Sequence, residues 1–63
     1  MADSDARLRQ ARHDLSNPLS AILAEAQLLL LSADKYDEET LNGLRQIEAL
    51  ARRMRDLLQA LDR

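Results

Sequence analysis

The sequence predicts an all-α fold: an antiparallel helical hairpin that pairs with a second copy into a homodimeric four-helix bundle. Three observations carry that expectation. Apolar residues recur at alternating spacings of three and four along both halves of the chain. The composition, 46% hydrophobic and 32% charged with one Gly, one Pro and one aromatic residue, is that of long amphipathic helices rather than of sheets. A chain of 63 residues holds at most one small domain with a marginal core, and without cysteines to staple it, association is the remaining source of buried surface.

The elements follow in order within one domain spanning 1–63. The first helix is expected over about 4–32, with a seam at Leu8, Leu15, Leu19, Ile22, Ala26, Leu29 and Ala33, Arg12 filling its polar slot. Leu23 and Leu30 widen the stripe beyond what one partner helix covers, so two neighbours are expected. Small and polar residues then mark a turn over about 33–37, with Asp37 placed to cap the next helix. So short a connection makes the helices antiparallel neighbours.

The second helix is expected over about 38–62, with Leu44, Ile47, Ala51, Met54, Leu58 and Leu61 as its seam, flanked by Leu50 and Leu57. Asp37, Glu38 and Glu39 at its start and Arg52, Arg53 and Arg55 toward its end suit the helix dipole. Gly43 disfavours a helix interior by about 1 kcal/mol and reads either as a point of close packing or as part of a frayed end.

Charge and composition exclude several functions. A net charge of −2 and a pI near 5.2 lack the basic excess of nucleic-acid binders, so no nucleic acid is expected as a partner. A single histidine and no cysteine leave no ligand set for a metal, and the absence of cysteine fits a reducing cytoplasm. The longest apolar runs, 21–24 and 28–31, fall far short of the roughly 18 to 20 residues that cross a bilayer. The expectation is a cytoplasmic module with no direct membrane contact, compatible with a membrane-anchored parent.

The chemistry concentrates around His13. At about 100° per residue it comes out near the side opposite the apolar seam, with Asn17, Ser20 and Ala24 continuing the same outer strip. A lone surface histidine is usually idle, but this one has Arg9 one turn upstream and Asp14 adjacent, a cation for phosphate and a carboxylate for the ring proton. Pro18 is the second anomaly. Inside a helix it deletes the hydrogen bond to the Asp14 carbonyl, a disadvantage of about 3 kcal/mol. Either the helix bends beside His13 or it starts after Pro18 with Asn17 as its N-cap; the seam through Leu8, Leu15 and Ile22, in step across the proline, favours the first. Arg52, Arg53 and Arg55 read as a solvated helix end, and Glu25 and Gln27 as ordinary bundle surface.

The string His13-Asp14-Leu15-Ser16-Asn17-Pro18-Leu19-Ser20-Ala21-Ile22 resembles the H-box of sensor histidine kinases: a histidine, an acid, an apolar residue, two further positions, Pro-Leu, and a second apolar position. The surrounding hairpin covers essentially the whole chain. The resemblance to the dimerisation and histidine phosphoacceptor domain implies that His13 accepts the γ-phosphoryl group of ATP and passes it to an aspartate of a response-regulator receiver domain. It makes Asp14 the acid/base neighbour and gives Asn17 the positioning of a water in regulator dephosphorylation. Arg9, Ser16, Ser20 and Ala24 become candidate partner contacts, with Pro18 structural. Ser16 stands where many relatives have Arg or Lys. Nothing resembles the Asn-rich and Gly-rich boxes of the separate catalytic domain, so the chain is expected to bind no cofactor itself and to meet ATP only through that domain, without activity alone. Two readings compete: a helical hairpin that only mediates dimerisation or scaffolding, and a monomeric phosphotransfer protein, which needs four helices in one chain.

Overall fold

A computed structural model describes residues 2–61, and the described chain is a helical hairpin: α1 (Ala2–Leu30), a short 3-10 turn (Ala33–Lys35) and α2 (Glu38–Ala60). It is a rod, 51 Å long and about 14 Å across. α1 starts and ends two residues before the span expected from sequence; at its C-terminal end the chain tightens, Ser32 N–H donating to the Leu29 carbonyl and Lys35 N–H to the Ser32 carbonyl, at 3.1 and 2.9 Å. Such i to i+3 bonds satisfy helix-end carbonyls without a left-handed residue, and no described residue has positive φ. The end expected for the second helix, 62, lies outside the described residues.

Asp37 starts α2 by capping it. Its backbone is extended, at φ −74° and ψ 170°, and its carboxylate accepts from Thr40 N–H at 2.8 Å. Glu38 and Glu39 follow in the first turn, where the positive end of the helix dipole favours them. The arginines do not complete that pattern: the last turn of α2 carries no basic residue, so Arg52, Arg53 and Arg55 sit too far inside the helix for its dipole to act on them strongly. Arg52 instead meets Glu48 at 3.3 Å, one turn back, and Arg55 meets Asp56 at 3.5 Å.

Packing divides the apolar residues of each helix between two lines, one turned to the other helix and one left open. On α1 the line facing α2 comprises half-buried Arg12 and Ser16, buried Leu19, Leu23 and Ala26, and half-buried Leu30. On α2 it comprises Leu41, Leu44, Glu48, Ala51, Arg55 and Leu58, of which Leu41, Ala51 and Leu58 are buried. Both lines step by three and four, as packed antiparallel helices require. Leu19, Leu23, Ala51 and Leu58 form the central cluster.

The sequence-derived seam therefore merged two faces. Leu8, Leu15, Ile22 and Leu29, seven residues apart, remain exposed on α1, as do Ile47, Leu50, Met54 and Leu57 on α2 and Leu61 just past its end. These two exposed lines flank an apolar groove of about 330 Å³ lined by Ala21, Ile22, Glu25, Ala26, Leu29, Leu44 and Ile47. Within the hairpin, Gly43 is not a close-packing point, since a Cβ there would meet nothing within 4 Å.

Candidate functional site

α1 runs unbroken through Pro18, which rules out a helix start after it and leaves Asn17 inside the helix rather than at its N-cap. A proline there has no N–H to offer the Asp14 carbonyl. The bond is lost at the residue next to His13.

His13 is open to solvent, its side chain 69% exposed, and Asp14 is nearly as open. The Asp14 Oδ1 lies 3.7 Å from His13 Nδ1. That separation exceeds a good hydrogen bond and is still close enough for charge attraction once the ring is protonated. The carboxylate stands on the Nδ1 side of the ring, so the opposite nitrogen, Nε2, is the one it does not face. A neutral imidazole with its proton at Nδ1 presents a lone pair at Nε2, and that lone pair is a nucleophile.

The same Asp14 oxygen accepts a hydrogen bond from Gln10 Nε2 at 2.9 Å. Gln10 was invisible to motif reading because it lies upstream of the His13 string. Only its position one helical turn before Asp14 signals a partner.

Asn17, Ser20 and Ala24 are exposed, and helix geometry places them on His13's side of α1. That strip continues to Leu28 and to Leu31, which is 82% exposed. Arg9 is exposed one turn from His13, while Arg12 is half-buried on the side facing α2. Ser16 lies one turn after His13 but is half-buried on the side facing α2, so it sits at the inner edge of the open strip of Asn17, Ser20 and Ala24. Leu8, Leu15, Ile22 and Leu29 lie on roughly the far side of α1 from His13, about 170° around the helix.

Among the described residues, no group of three or more His, Cys, Asp or Glu is arranged to hold a metal ion, and no helix is long and apolar enough to cross a membrane. No buried side-chain nitrogen or oxygen lacks a hydrogen-bond partner among the described residues.

A family model described as the His Kinase A (phospho-acceptor) domain matches residues 6–63. No curated protein and no solved structure matches the chain.

Proposed function

The chain belongs to the His kinase A phospho-acceptor family, a module of histidine kinases in two-component signalling, and from that premise we propose that His13 is its phosphoacceptor within a homodimer. Domains of this family generally dimerise and work with kinase catalytic domains and response regulators. The observation that supports the reading best is the opposition of two faces on α1. The exposed imidazole with its carboxylate neighbour points one way, and the uncovered line Leu8, Leu15, Ile22 and Leu29 points the other.

In this reading, two copies pair through the outward lines of α1 and α2. Isologous pairing lets one apolar surface cover its own copy, closing the groove beside Ile22 and Ile47 into a four-helix bundle. Among the described residues, a single hairpin buries six hydrophobic residues, Leu19, Leu23, Ala26, Leu41, Ala51 and Leu58, too few to hold helices of this length without a partner. His13 stays outside.

The chemical steps follow from the site. The Nε2 lone pair attacks the γ-phosphorus of ATP presented by a separate catalytic domain; a nitrogen–phosphorus bond forms, the bond to the bridging oxygen breaks, and ADP leaves. Asp14 offsets the charge gained by the ring and holds its remaining proton at Nδ1. An aspartate of a receiver domain, approaching along Asn17, Ser20 and Ala24, then takes the phosphoryl group. Arg9 is placed to meet phosphate oxygens, and the Asn17 amide to orient a water in dephosphorylation of the regulator. Ser16 has no direct contact in this scheme. Dependence on ATP assigns the module to the cytoplasm.

The test is incubation with a histidine-kinase catalytic domain and labelled ATP. The expected product is acid-labile, base-stable label on the wild-type chain and none on His13→Gln. Label that persists in His13→Gln would overturn the assignment, and an intact dimer that never takes label would favour a purely structural hairpin.

A further inference from the structure

The geometry points to Gln10 as a positioning residue for His13, acting through the carboxylate of Asp14; this rests on the phosphoacceptor reading above. Gln10 is three residues before His13 and four before Asp14, so it faces both across one turn of α1. Its Nε2 donates to Asp14 Oδ1 at 2.9 Å, and that oxygen is the one 3.7 Å from His13 Nδ1. One carboxylate oxygen is thus shared between an amide donor that fixes it and a ring nitrogen that it faces.

The bond matters because Asp14 is otherwise loosely held. Its side chain is 64% exposed, and of the four positions one turn away, Ala11 and Pro18 offer no side-chain hydrogen bond. Asn17 is the other polar candidate, but Asp14 is bonded to Gln10. An unanchored aspartate would sample rotamers that carry its oxygens away from the ring. Held as it is, the carboxylate stabilises the tautomer with the proton on Nδ1 and leaves the lone pair on Nε2, where the phosphoryl group must arrive.

The experiment uses the chain alone, with phosphoramidate as donor. In that reaction Nε2 forms a bond to phosphorus, the nitrogen–phosphorus bond of the donor breaks, and ammonia leaves with its electron pair, the ring proton staying at Nδ1. The chain has one histidine, so nitrogen NMR reads the tautomer of His13 directly and phosphorus NMR reads its Nε2 phosphorylation. Gln10→Ala is expected to lower both the Nδ1–H share relative to Nε2–H and the rate of Nε2 phosphorylation by about twofold, the scale of one exposed helix-surface hydrogen bond. Gln10→Lys, which keeps a donor at the same place, restores both, and helix content and sedimentation stay unchanged in each variant. Wild-type tautomer ratio and rate in Gln10→Ala overturn the inference, as does Gln10→Lys behaving like Gln10→Ala. A wild-type chain that shows the tautomer preference but takes no phosphate from the catalytic domain would instead sink the phosphoacceptor reading and leave the role of Gln10 standing.

Discussion

Ile22 and Leu23, adjacent in the chain, are divided between two environments: Leu23 is 8% exposed within the hairpin and Ile22 is 52% exposed beside the apolar groove. One residue of helix rotation separates the surface that holds α1 to α2 from the surface left open beside the groove. Their substitutions should therefore fail differently. Leu23→Ala removes core contacts and is expected to destabilise the fold by about 3 kcal/mol, measured by denaturant unfolding. Ile22→Glu places a charge in the proposed dimer seam and is expected to weaken self-association at least about tenfold by sedimentation equilibrium. An Ile22→Glu chain that dimerises like wild type would show that the seam lies elsewhere.

Gly43 falls on the outward line of α2, one heptad before Leu50 and two before Leu57. Because an added Cβ meets open space in the hairpin, Gly43→Ala should gain about 1 kcal/mol of helix stability and raise the Tm by several degrees. A drop in Tm would indicate that the partner copy packs directly on this glycine.

Pro18 withholds an N–H from the Asp14 carbonyl inside an otherwise continuous helix. Pro18→Ala should restore the bond and stabilise the chain by up to about 3 kcal/mol, visible as a rise in denaturation midpoint. Unchanged stability would mean that the carbonyl is already satisfied in another way.

The cap at Asp37 gives the fold an acid limb. Hydrogen bonds from the Thr40 hydroxyl, the larger effect, and from the Thr40 N–H hold the carboxyl below its ordinary value of 3.8. A depressed carboxyl pKa contributes stability above the unfolded value, and that contribution is lost as pH falls from near 3.8 through the folded value. Asp37→Ala should lower the Tm by a few degrees at pH 7, and the gap from wild type should narrow at pH 3. A gap that stays constant across that range would assign the cap no ionic part.

The two helices and their turn were legible because periodicity and the Asp37 cap are local properties. Which apolar line faces inward was not. Leu8, Leu15 and Ile22 are as well spaced as Leu23 and Leu30, and only the packing of the hairpin assigns one line to α2 and leaves the other open. Leu41 was overlooked for a related reason: flanked by Thr40 and Asn42 just past the cap, it lies outside the apolar run and yet is buried. At the site, the exposure of His13 followed from the helix wheel. The inward rotation of Ser16 and the Gln10 bond to Asp14 depended on the true helix orientation and on side-chain rotamers, which residue spacing leaves open.

The phosphoryl group is expected to land on an outward-facing His13 of a paired hairpin. The most direct measurement is tandem mass spectrometry at neutral pH on the dimer fraction, isolated after reaction with a histidine-kinase catalytic domain and ATP. Phosphoryl on His13 in that fraction is the predicted result; an unmodified His13 in the dimer, or modification confined to dissociated monomer, would contradict it.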